Sequence, residues 1–193
     1  MKPVTQVDLM TRKRFAVCTL SVLILLLSGM ASAAQGVPRD AQQYFFDESF
    51  WDLTEELQTA REQGKQGILI MFEMDECPFC HRMKNTVLNQ PDVQDYFKEH
   101  FLILPIDIEG DLEMVNFRGQ PTVMKDFAFE EYRVRATPVF AFFDLEGNYI
   151  KRARYTGATR DKEEFLLLGR YVVDKVYLKQ PFTRYKREQT NAR

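Results

Sequence analysis

Cysteine, histidine and tryptophan are scarce in this chain of 193 residues, at three, two and one copies. So few soft or borderline ligands argue against a structural zinc site, which normally draws on a second, distant ligand pair. Charge of one sign is also missing. Lys and Arg number 26 against 28 Asp and Glu, for a net charge of -2. That balance excludes a general nucleic-acid binder. There is no internal repeat and no low-complexity segment, which excludes a solenoid. The longest apolar run, residues 15–27, is short for a membrane span of about 20 residues.

That run has a different meaning in its setting. Arg12-Lys13-Arg14 precedes it, and Ala31-Ser32-Ala33 follows it in the small-residue spacing of a cleavage site. The pattern predicts a secretory signal peptide over residues 1–33, cut after Ala33 or Ala34, and places the protein in the periplasm. An uncleaved anchor is the alternative. Cys18 lies in the leader, so the exported chain keeps only Cys77 and Cys80. Two cysteines three apart close too small a loop to staple a domain. In an oxidising compartment such a pair points to thiol exchange or metal binding.

The pair sits in Glu76-Cys77-Pro78-Phe79-Cys80-His81, directly after the apolar run 67–72. Proline at the first helical turn puts Cys77 at the cap and Cys80 on the same face one turn later. Backbone N–H groups at that cap favour a thiolate on Cys77. A C-x-x-C beside a βαβ pattern reads as a dithiol redox site.

The rest of the chain supplies that pattern. Residues 34–47 read as a lead-in. Residues 50–62 carry Phe50, Leu53, Leu57 and Ala60 at helical spacing, with Ser49 as the expected cap. Strand 68–72, helix 77–88, helix 93–100 and strand 101–108 follow. Pro105 inside the last of these suggests a sheet edge. Residues 109–124 show no clean period. A helix over 127–134, a strand over 138–143, a turn, a strand over 149–155 and a helix over 161–177 complete the order. Residues 179–193 read as a basic, frayed tail. The 16 phenylalanines imply an aromatic core. The order satisfies a three-layer α/β/α sandwich with a central mixed sheet, and places the dithiol at the C-terminal end of its first central strand.

With Cys77-Pro78-Phe79-Cys80 after a strand and Ala136-Thr137-Pro138 before the last strand pair, the chain resembles the thioredoxin superfamily over residues 48–178. More closely, it resembles exported thioredoxin-like proteins associated with sulfur oxidation and periplasmic reductase systems. The resemblance implies a thiol–disulfide oxidoreductase with no cofactor. Cys77 is then the exposed nucleophile and Cys80 the resolving thiol, with Pro78 and Phe79 tuning the pair. Pro138 is then a cis proline facing the dithiol, and the Thr137 backbone meets an extended substrate.

Three departures stand out. Met71 occupies the place of the family's buried aspartate, and Glu73, on the same strand parity, is the candidate replacement. Glu76 occupies the place of a tryptophan, and its charge opposes a Cys77 thiolate. The stretch 109–124 is extra length, either one wall of a substrate groove or a passive insertion. His81 is either a thiolate-stabilising imidazole or a surface residue; His100 reads as structural. The expected partners are exported proteins with disulfides or thiols, with a membrane thiol carrier as electron donor. Reduction is the favoured direction. Oxidase or isomerase activity, soft-metal binding through Cys77, Cys80 and His81, and a non-catalytic interaction module are the alternatives.

Overall fold

In a computed structural model, residues 36–191 are described, and the predicted leader lies outside them. The central strand β1, Gly67–Glu73, is apolar from Gly67 to Phe72 and buried over that length. A strand without polar alternation must be covered on both faces. Leu69 and Met71 enter one apolar layer, with Phe97, Phe140 and Phe165. Ile68, Ile70 and Phe72 enter the other, with Leu53, Leu57 and Phe127. Strand β2, Phe101–Asp107, runs parallel to β1, pairing Met71 with Pro105 and Glu73 with Asp107.

Three further short strands follow: β3, Glu113–Val115; β4, Pro121–Val123; and β5, Val139–Phe143. Strand β5 is antiparallel to β1, and the two-residue β6, Tyr155–Thr156, extends β5. The main sheet has the order β2-β1-β5-β6 and is mixed. Pro105 therefore stands on an edge strand, where a missing N–H costs little.

Helices cover both faces, and local chemistry sets their ends. Helix α1 is Ala41–Tyr44, α2 is Leu53–Glu62, α3 is Pro78–Thr86 and α4 is Pro91–His100. The cap of α2 is Asp52, whose carboxylate accepts from the amides of Thr54 and Glu55. Ser49 was the expected cap; its hydroxyl instead donates to Glu56 and accepts from the Trp51 amide. Trp51 takes a left-handed φ of 67°, which swings Phe50 off the helix stripe to 96% exposure.

The lead-in is part of the core. Phe45 and Phe46 are buried. Asp47 lies along the outer edge of β2: its amide donates to the Ile103 carbonyl and its carboxylate accepts from the Ile103 amide. This covers an edge that would otherwise be open to pairing.

Later segments depart from their expected forms. Residues 109–124 contain the β3–β4 hairpin, tied by the Val115 amide to the Trp51 carbonyl. The expected helix 127–134 is a one-turn helix α5, Met124–Asp126, running into a π-helical turn, Phe127–Glu131. The expected strand 149–155 is interrupted by a 3-10 turn, Lys151–Ala153. Helix α6, Lys162–Val173, starts on the Asp161 carboxylate and stops before Lys175, which has a φ of 53°. Gly169 in α6 allows close approach to α4: a Cβ there would lie 2.7 Å from a Tyr96 ring carbon.

The expected frayed tail holds helix α7, Phe182–Asn191. The Phe182 ring packs on Tyr155 and Tyr171, and Lys186 pairs with the buried Glu164 carboxylate at 2.7 Å. Apolar anchors at Phe182 and Tyr185 offset the ordering entropy that the polar composition alone would not. Among the described residues no helix is long and apolar enough to cross a membrane.

Candidate active site

The turn after β1 carries the chemistry. Pro78 occupies the first turn of α3, and Cys77 is its N-cap. The Cys77 Sγ accepts from the Cys80 amide at 3.0 Å, an orphan donor of the helix start. Cys77 and Cys80 are joined as a disulfide, with Cα atoms 5.2 Å apart. Both are 2% exposed and belong to the apolar layer that includes Met71, Met83 and Phe140. Cys77 was expected to be exposed. It is instead buried, because the sulfur turns inward onto that layer while Pro78 and Phe79 take the solvent side. Phe79 is 59% exposed, an apolar side chain presented beside the dithiol.

Charged neighbours are arranged around the pair. Glu76 is exposed, so its repulsion of a Cys77 thiolate is screened by water. The His81 Nε2 lies 2.8 Å from the Asp75 carbonyl and donates to it, closing the turn that precedes α3. Glu73, at the end of β1, is half-buried and pairs with Lys84 at 2.8 Å. Lys84 is one helical turn beyond Cys80 on α3, so the ion pair stands on the Cys80 face. Burial raises the Glu73 carboxyl above its ordinary value; Lys84 opposes the rise, and Asp107 and Asp75 add to it. Met71 sits in the cysteine layer, and Glu73 follows it on the same strand face. The ion pair with Lys84 is the feature that sequence reasoning missed.

The rise has a testable sign. A carboxyl whose folded pKa is raised stabilises the fold most when protonated. Its contribution is full below about pH 4.5, the unperturbed value, and is lost as pH rises through the folded value. Glu73→Gln should therefore flatten that part of the stability curve, as measured by urea unfolding across a pH series. Parallel curves for the two proteins would contradict the burial argument.

The facing loop comes from β5. The Thr137–Pro138 bond is cis. Phe72 pairs with Val139, so the antiparallel register brings Pro138 level with Glu73, at the same end of the sheet as the dithiol turn. The Pro138 carbonyl accepts from the Gly157 amide at 2.8 Å. The Thr137 Oγ1 is buried and has no hydrogen-bond partner among the described residues. Arg82, the residue after His81, donates to the Thr159 carbonyl, and the Thr159 hydroxyl lies against Met83 Sδ at 3.6 Å, so the segment after β6 braces α3.

The apolar side chains Met114, Phe117 and Met124 of the 109–124 stretch do not enter the cysteine layer. Met114 and Met124 are buried in the layer on the opposite face of the sheet, and Phe117 packs on Phe127 and Phe143 there. His100 is remote from the turn, edge-on to Tyr96. Among the described residues no group of three or more His, Cys, Asp or Glu side chains is placed to hold a metal ion.

A family described as a thioredoxin-like domain matches residues 53–172, more than half of the chain. The chain belongs to the thioredoxin-like family. No curated protein matches it. Among solved structures it is similar to a thioredoxin-fold protein from Helicobacter pylori, with 22% identity and a TM-score of 0.54, covering 67% of this chain and 88% of that one. It is also similar to a candidate disulphide-isomerase from Bacteroides thetaiotaomicron, with 24% identity and a TM-score of 0.50, covering 70% and 93%. At these identities the likeness concerns the fold. A Cys-x-x-Cys disulfide at the thioredoxin-like position supports thiol–disulfide oxidoreductase activity.

Proposed function

We propose that the protein is an exported, periplasmic reductase of protein disulfides, recharged by a membrane thiol carrier. The observation that carries the exchange chemistry is the Glu73–Lys84 pair on the Cys80 face; the reductive direction rests on the resemblance to exported reductive thioredoxin-like proteins. In the forward half-reaction the Cys77 thiolate attacks one sulfur of a partner disulfide. A Cys77–partner disulfide forms, and the other partner sulfur leaves as a thiolate. Cys80 then gives its proton to the Glu73 carboxylate, whose raised pKa suits it to accept one. The Cys80 thiolate attacks the Cys77 sulfur, closing Cys77–Cys80 and releasing the second partner thiolate. Two electrons pass to the partner, and the thiolates take up two protons. A dithiol carrier restores the pair by the same exchange in reverse. The leader motif Ala31-Ser32-Ala33 supports export.

One observation favours the opposite direction. The Cys80 amide on the Cys77 sulfur stabilises a thiolate, which is what a disulfide donor needs. A glutathione titration joined to trapping of the in-cell redox state separates the two. The reductase reading expects a potential at or below about -200 mV and a pair held mostly as dithiol. The mature protein should begin at Ala34 or Gln35 by mass. A couple near about -120 mV, held mostly as disulfide, reverses the direction.

A further inference from the structure

The loop that leads into the cis proline carries two cations with no acidic partner. Arg133 and Arg135 are exposed, and neither makes an ion pair among the described residues. Most arginines around them are engaged: Arg118 with Glu131, Arg154 with the Tyr132 carbonyl, Arg82 with the Thr159 carbonyl. Arg135 is nevertheless held in place. Its guanidinium stacks on the Phe129 ring, 5.3 Å from the centroid, and that ring is itself 45% exposed. Stacking removes rotamer freedom from the side chain but leaves its edge N–H groups free, and that edge matches a carboxylate in a two-pronged contact. Arg135 lies two residues before Thr137, at most about 7 Å along the backbone from the position that meets the cis proline.

We propose that Arg135, stacked on Phe129 beside the Thr137–Pro138 loop, selects protein segments that carry a carboxylate next to their redox cysteine. The assignment rests on the thiol–disulfide exchange reading but holds for either direction of electron flow. Arg133 contributes less. Glu130 is exposed one turn before it and competes for its charge. Exposed Asp75 and Glu76 directly precede Cys77 and repel an acidic residue placed beside them. Selection therefore acts on the side of the attacked cysteine that faces the proline loop. The exposed Phe79 ring supplies apolar contact without sign preference.

The test uses the reduced mature protein and two disulfide-bonded peptides that differ at one residue beside the attacked cysteine, Glu against Gln. The second-order rate of exchange with Cys77 is measured for each. At low salt the Glu peptide should react about fivefold faster, the size of a well-oriented, solvent-exposed arginine–carboxylate contact. The ratio should fall toward one by about 0.5 M salt, where screening is nearly complete. Arg135→Gln should bring the two peptides to the same rate, and Arg135→Lys should keep part of the difference. Equal rates at low salt in the unaltered protein overturn the proposal, as does a preference that Arg135→Gln leaves intact. An oxidising potential overturns the reductase reading and leaves this rate ratio as informative as before.

Discussion

Cys77→Ser should abolish thiol–disulfide exchange, a loss of at least about a thousandfold, because a serine hydroxyl does not attack sulfur and Cys80 lacks the helix-start amide that activates Cys77. Cys80→Ser should behave differently. It keeps the nucleophile and loses the resolving thiol, so partners accumulate as mixed disulfides on Cys77. The roles follow from the cap. Only Cys77 receives the Cys80 amide on its sulfur, so only Cys77 has its thiolate stabilised by a backbone donor of the helix start. Non-reducing electrophoresis after acid quenching reads both variants. The reverse pattern, with partners trapped by Cys77→Ser and not by Cys80→Ser, would assign the nucleophile to Cys80. Identifying the trapped partners would also supply natural segments in which to look for the carboxylate that Arg135 selects.

The second large effect is on stability. Phe165 on α6 is fully buried and joins three elements through its ring. It stacks on Phe97 of α4 at 4.4 Å, meets Phe140 of β5 edge-on at 4.8 Å, and touches Phe45 of the lead-in at 6.1 Å. Phe165→Ala should cost about 4 kcal/mol, from lost apolar burial and from a cavity that a rigid sheet and two helices cannot close. In a domain of this size the melting temperature should fall by about 10 °C. Thermal unfolding followed by circular dichroism checks it. A loss below about 1 kcal/mol would mean that the layer collapses around the gap, contrary to the close packing described. The cysteines share this layer, so the oxidised and reduced forms should both be destabilised.

The parts of the fold legible in the sequence were those with strong local signals. The unbroken apolar run 67–72 announced a strand covered on both sides. Pro105 announced a sheet edge. Cys77-Pro78 announced a helix start with the sulfur at its cap. Expectations failed where a local pattern was overruled by distant partners. Ser49 looks like a cap until Asp52 is seen to bond two helix amides. Residues 34–47 read only as a lead-in, but Asp47 satisfies the open edge of β2 at Ile103, 56 residues away. The basic tail reads as frayed, because nothing near it reveals that Phe182 has Tyr155 and Tyr171 to cover it.

For the site, the sequence by itself determined the two sulfurs, their spacing and the proline that starts the helix. These are properties of short stretches of chain. The cis form of Pro138 was what the resemblance implied, and the Thr137–Pro138 bond is cis. Only the tertiary structure decided how those stretches face one another. It turned Cys77 inward, paired Glu73 with Lys84, assigned the methionines of 109–124 to the opposite layer, and left Arg135 on Phe129 without an acidic partner. The physical reason is common to all four. Burial, ion pairing and the absence of a partner depend on which surfaces meet across the sheet, and that is fixed by packing among residues far apart in the chain.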